Sequence, residues 1–257
     1  MLLLMWLPLK IPIDWAIITI YGVNDAARNL ASILTLIVLY LEFIVLVKFW
    51  GRSVYREPLF KVYGLRQPRQ NARNVLQGLA IGLWSLMLMF ILQGVLGWVQ
   101  WQIPSSTFLR IALEGGVMAI AVGFAEELLF RGWLLNELDR DYSPRISLAV
   151  SSLIFALVHG LRPQFFALVI LGLILVWAKR ATRGRLGLSI GVHAGLVWGY
   201  YLVNVGQLVT FTHRVPAWVT GIDRNPLAGI MGVLALSTIA FFMRSTALQN
   251  RSSELRH

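Results

Sequence analysis

Five side chains in this sequence could do chemistry together. Glu126 and Glu127 are adjacent, Arg131 follows four positions after the second glutamate, and His159 and His193 lie further along. Carboxylates and imidazoles are the groups that carry protons near neutral pH. One glutamate with two histidines is also the His₂Glu donor set of catalytic zinc, which keeps an open fourth position. No H-E-x-x-H accompanies it here, so a metal-free use of the glutamate is preferred. Because the chain contains no Cys, cysteine nucleophiles, thiolate metal sites and disulfides are excluded. The competing nucleophile is a serine. Residues 187–191 read Gly-Leu-Ser-Ile-Gly, and His193 stands four positions after Ser189. A G-x-S-x-G serine works at a strained strand-to-helix elbow. Here the motif opens an apolar helix, where small residues serve close helix packing.

The elements that must hold these groups are membrane helices. Hydrophobic residues make up 57% of the 257, charged residues only 14%, and mean hydropathy is +0.68. A soluble domain is about one quarter charged. About 20 mostly apolar residues cross the hydrocarbon of a bilayer. Apolar segments are expected at 29–48, 75–100, 108–130, 146–160, 165–178, 186–208 and 226–243. The fourth and fifth are short, which implies shielding by neighbouring protein or tilted entry. Segment 12–22 is shorter still and carries Asp14, so it reads as interfacial or re-entrant. Met1 to Pro8 lack a basic start and a small-residue cleavage site, which argues against a signal peptide. The resulting fold class is all-α, a polytopic bundle of seven to eight transmembrane helices forming one integral membrane domain over 1–257.

Formal net charge is +11, which could suggest nucleic acid, but the placement of charge points to topology instead. Seventeen of the 23 Lys and Arg residues fall in alternate connections and the tail, including the group from Lys48 to Arg73 and the group from Lys179 to Arg185. The other six, Lys10, Arg28, Arg110, Arg162, Arg214 and Arg224, fall on the opposite face. The positive-inside rule places the richer face, and with it the C-terminus, in the cytoplasm. Trp50, Trp98 and Trp101 sit at segment ends, the headgroup level that indoles prefer. Anionic lipid accounts for the basic face, and nucleic acid is not an expected partner.

Ionisable groups inside membrane helices are costly and mark function. Glu126, Glu127 and Arg131 fall in the 108–130 segment and its continuation, His159 in the fourth and His193 in the sixth. Glu127 and Arg131 share one helical face and can pair. Glu126 is turned by about 100° from Glu127, toward whatever neighbouring helices present. At 1.5 Å per residue, Glu126 and His159 come out about 18–20 Å from the basic face and His193 about 10–12 Å. Shifts of one turn bring all three to a common depth.

In sequence order, Glu126-Glu127-x-x-x-Arg131, Phe155-x-x-x-His159 and a helix bearing His193 resemble the CPBP family. These are the CAAX-type prenyl endopeptidases and bacteriocin-processing intramembrane proteases. The resemblance covers about 110–205, the implied catalytic core. It implies that Glu126 activates water, that His159 holds that water or takes its proton, and that His193 polarises the scissile carbonyl. It implies that Glu127 and Arg131 support the site from behind, with Phe155 marking the second motif. If a metal took part, Glu126, His159 and His193 would be its ligands and zinc its identity. Family members usually carry Asn or another polar residue four positions after the last His, whereas this chain has Val197. The implied protein is an intramembrane endopeptidase of a plasma or thylakoid-type membrane, acting on a peptide or membrane-protein substrate among membrane lipids. Val197 supports the alternative, a non-catalytic membrane scaffold that binds or protects partner proteins. Because water and chain must both reach the site, a cavity around Glu126 is expected.

Overall fold

The computed structural model describes residues 2–23 and 25–254. The chain divides into two compact units, Met1–Val62 and Tyr63–His257. The first is a helical hairpin of α1 (Leu2–Tyr21) and α2 (Asp25–Trp50). Ile17 of α1 and Ala27 and Ala31 of α2 form its small core, with Ile13 against it. The 12–22 segment, expected to be short, is thus the latter part of a 20-residue helix. Asp14 is accommodated by an ion pair with Lys10, one turn earlier.

The second unit contains α3 (Pro68–Val95), α4 (Phe108–Glu127), α5 (Leu135–Asp141), α6 (Pro144–Val158), α7 (Phe165–Ala181), α8 (Gly187–Asn204), α9 (Ala217–Thr220) and α10 (Ile230–Glu254). A π-helical stretch, Leu128–Leu134, joins α4 to α5, so 108–141 is continuous helix. Three helices among the described residues, Pro68–Val95, Phe108–Asp141 and Ile230–Asn250, are long and apolar enough to cross a membrane; Pro144–Val158 is a shorter apolar helix. Exposed apolar side chains follow the lipid logic. On α4, Leu109, Leu113 and Val117 are each at least 65% exposed along one face. Such a stripe has no counterpart in an ordinary water-facing helix.

The architecture departs from all-α in one small feature. β1 (Val99–Trp101) pairs antiparallel with β2 (Val209–Phe211), in the register Val99 to Phe211. The apolar run 75–100 therefore ends in β1, and 186–208 ends in the turn between α8 and β2, not in helix. Likewise 226–228 is a 3₁₀ turn, and α10 begins at Ile230. Arg256 of the basic tail lies outside the described residues.

At the centre lies α8. Gly187, Gly191, Gly195 and Gly199 repeat every four residues along it, opposite Gly78 and Gly82 of α3. A Cβ on Gly191 would stand 2.2 Å from the Val75 carbonyl oxygen, and one on Gly195 would stand 2.4 Å from that of Leu79. Only hydrogen at these positions lets the backbones approach so closely, and close approach supplies the dispersion contacts that hold helices together in lipid. The glycines of the G-x-S-x-G match are therefore packing residues. Ser189 is buried and donates to the Leu186 carbonyl at 2.9 Å.

α6 and α7 form a second hairpin, joined by a short loop. Ser143 caps α6, its hydroxyl accepting from the Ile146 N–H, and Pro144 occupies the first turn, both favoured at a helix start. Gly160, at φ +87°, takes the left-handed conformation that ends the helix. Gly172 lets α7 sit against Ser152 of α6, where a Cβ would be 2.8 Å from the Ser152 Cα.

Candidate active site

Glu126 is the last residue but one of α4, just before the π-helical stretch; such turns recur at functional sites. Its Oε2 lies 3.6 Å from His159 Nε2 and 3.8 Å from His193 Nε2. Three elements thus bring one carboxylate and two imidazoles together. Depth is reconciled by the start of α8. Leu186, just before it, packs by Gly132 and not beside Asp141, its Cδ1 3.6 Å from a Cβ built on that glycine. α8 begins deeper in the bundle than α5 ends, so His193 reaches Glu126 after fewer residues.

His159 is not inside α6, as its sequence context suggested, but caps the C-terminus. Its Nδ1 lies 2.7 Å from the Phe155 carbonyl oxygen. A carbonyl only accepts, so Nδ1 carries the proton, and in the neutral ring Nε2 presents a lone pair toward Glu126. For His193 the equivalent partner is a carboxylate: its Nδ1 lies 3.0 Å from Glu127 Oε1. The same oxygen accepts from Arg131 Nη1 at 2.9 Å. Glu127 therefore joins the basic residue behind the site to a histidine within it, beyond the helix-bracing role expected for it. No bond from Ser189 competes for His193 Nδ1.

Arg131 is fully buried. Its second terminal nitrogen donates to the Gly172 carbonyl at 3.3 Å, and its guanidinium stands 4.3 Å from the centroid of the Phe155 ring. That ring packs on both imidazoles, with centroids 4.7 Å from His159 and 5.8 Å from His193. Phe155 thus orients His159 through its carbonyl and both histidines through its ring.

Two contributors went unread in the sequence. Lys179, counted there among the loop charges, is buried at the end of α7 and donates to the Arg131 carbonyl at 2.6 Å and to Asn136 Oδ1 at 2.8 Å. It satisfies a carbonyl of the π-helical stretch, which pairs differently from an α-helix. Gly172 was likewise unmarked, within an apolar run. A Lys at the end of such a run reads as a surface charge, and nothing local distinguishes the buried case. Arg131 itself, also counted with the cytoplasmic charges, belongs to the interior.

The site reaches the protein surface at His159. Side-chain exposure is 32% for His159, 14% for Glu126 and 5% for His193. A large cavity of about 870 Å³ lies elsewhere, at the β1–β2 end, and none of these three residues lines it. The residues do not form a metal centre as placed. The edges of a tetrahedral zinc site with bonds near 2.1 Å are about 3.4 Å, shorter than both gaps on Glu126, and no group of three His, Asp or Glu among the described residues is arranged to hold a metal ion. At 3.6 and 3.8 Å the gaps also exceed direct hydrogen bonds.

No curated protein and no solved structure matches the chain. Over residues 106–199 it matches the family model Rce1-like, described as Type II CAAX prenyl endopeptidase Rce1-like, and that match supports a CPBP-family intramembrane protease.

Proposed function

We propose that this protein is an intramembrane endopeptidase that hydrolyses a peptide bond of a membrane-associated substrate with water activated by Glu126. The carrying observation is the convergence of Glu126 Oε2 on the Nε2 atoms of both histidines. The Glu126 carboxylate takes a proton from water as the water oxygen attacks the scissile carbonyl carbon. His159, with Nδ1–H committed to Phe155, offers its Nε2 lone pair to hold that water. His193, with Nδ1–H committed to Glu127, donates from Nε2 to the forming oxyanion as an imidazolium. The buried Glu127 carboxylate balances this charge, as the aspartate does in a serine triad. The proton on Glu126 then passes to the leaving amide nitrogen as the C–N bond breaks. No step is routed through a metal.

The catalytic core would span 110–205 within one integral membrane domain, in a bundle of seven to eight helices with its C-terminus in the cytoplasm. The test is a comparison of membrane-protein N-termini in cells carrying wild type, a deletion, or Glu126→Gln at equal abundance. New N-termini present only with the wild type establish proteolysis and identify substrates. Val197, an apolar side chain where a second oxyanion donor is expected, favours the other reading, a non-catalytic scaffold. A Glu126→Gln strain matching the wild type while the deletion disturbs the cell would establish the scaffold and end the protease reading.

A further inference from the structure

The cavity of about 870 Å³ has no place in the chemistry above, yet it lies on the helices that carry it. Ile111 of α4 and Asn204 of α8 line it, and Glu126 and His193 stand on these same two helices. Tyr200 and Asn204 follow His193 by seven and eleven residues, so all three point within about 20° of one direction on α8. Tyr200 and Asn204 stand one turn apart on α8, and both are partly exposed. The cavity thus lies about 16 Å along α8 from the catalytic imidazole.

The cavity wall is suited to backbone. Val209, Thr210 and Phe211, the whole of β2, line it. Gln102 N–H donates to the Leu208 carbonyl at 2.8 Å, and Thr212 N–H donates to the Trp98 carbonyl at 3.0 Å. The antiparallel ladder alternates, so Val209 and Phe211, opposite Trp101 and Val99, turn their N–H and C=O groups away from β1. They form a free strand edge. Four of the seven non-glycine residues with positive φ among the described residues, Gln207, His213, Asp223 and Arg224, also line this cavity. Such conformations are strained and cluster where the fold serves a ligand. The volume lies within the roughly 300–1,000 Å³ of ligand sites. With one acid, an arginine, a histidine, amides, hydroxyls and aromatic rings, the lining matches polypeptide better than a lipid tail or a phosphate.

We propose that this cavity is an exosite that seizes an extended stretch of the substrate polypeptide, added as a third strand to the free edge of β2, about five residues from the bond being cut. The spacing follows from 16 Å at about 3.3 Å per extended residue, and strand addition supplies affinity through main-chain hydrogen bonds. This exosite rests on the protease reading and adds to it the means by which chain is held.

The experiment offers two synthetic libraries, randomised hexapeptides and randomised 16-residue peptides, to the purified full-length protein and reads products by mass spectrometry. A hexapeptide cut at its centre reaches only about 10 Å from the scissile bond and cannot enter the cavity. The wild type is expected to cut the longer peptides with at least tenfold lower KM at similar kcat. Val209→Pro removes an outward N–H without touching a ladder bond, and Thr210→Trp fills the cavity. Each is expected to raise KM for 16-residue peptides to the hexapeptide value, with hexapeptide cleavage unchanged; Val209→Ala, which keeps the N–H, is expected to behave as wild type. Equal KM for both lengths in the wild type, or a Val209→Pro defect shared by hexapeptides, overturns the exosite and leaves the protease reading standing. If neither library is cut, the protease reading falls and the exosite falls with it.

Discussion

Glu127 and His193 are 66 residues apart in sequence and 3.0 Å apart in space, through Oε1 and Nδ1. The glutamate oxygen that holds the imidazole also holds the Arg131 guanidinium, so ring orientation, charge balance and helix packing meet at one atom. Loss of either partner leaves a charge deep in the protein without its counter-charge.

Glu127→Gln is therefore expected to cost about 3–5 kcal/mol of stability, the range for breaking a buried ion pair from one side. Adding Arg131→Met to it should recover part of that loss, because the orphaned guanidinium is then removed. Denaturation of the purified variants in detergent checks both. A double variant less stable than Glu127→Gln would show that Arg131 acts mainly through Gly172 and Phe155.

Glu126 is the less buried of the two glutamates, 14% exposed against 0% for Glu127. Glu126→Gln is expected to lower proteolysis about 10²–10⁴-fold, the usual contribution of a general base, with little change in Tm. The ratio of product formed by variant and wild type at equal abundance is the measurement. Retained cleavage would remove Glu126 from the reaction.

Ser189→Ala should leave proteolysis within twofold of wild type, since the hydroxyl is committed to the Leu186 carbonyl and is buried. Its stability cost is expected at about 1 kcal/mol, the net value of one hydrogen bond. A loss of activity without a loss of fold would restore the serine mechanism.

Prolonged dialysis against a strong chelator is expected to leave cleavage unchanged, as both gaps between Glu126 and the histidines are wider than the edge of a tetrahedral zinc site. Activity lost on dialysis and restored by zinc alone would reverse the mechanism while keeping the same three residues.

Gly195→Leu should disrupt the fold outright. Its Cβ would fall 2.4 Å from the Leu79 carbonyl oxygen and 2.8 Å from the Leu83 nitrogen, both backbone atoms that cannot turn aside. The expected readout is loss of folded protein from the membrane, and wild-type abundance would count against the close packing of α3 and α8.

Composition and apolar run length by themselves made this a helical membrane protein, because a chain 57% hydrophobic cannot bury its apolar residues in water. The candidate site residues were legible for the same reason: an ionisable side chain in an apolar segment is expensive, so Glu126, Glu127, Arg131, His159 and His193 stand out without any structure. Helical spacing also paired Glu127 with Arg131 and turned Glu126 away. What the tertiary structure decided was everything set by a neighbour from far along the chain. Gly160 ends α6 so that His159 caps it, and α8 starts deep enough for His193 to meet Glu126. Lys179 enters the interior because the Arg131 carbonyl and Asn136, more than 40 residues away, receive it. The β1–β2 pairing and its cavity join segments over 100 residues apart. Local sequence encodes turn, period and the cost of burial, but the partner that makes a buried charge affordable is chosen only when the helices pack.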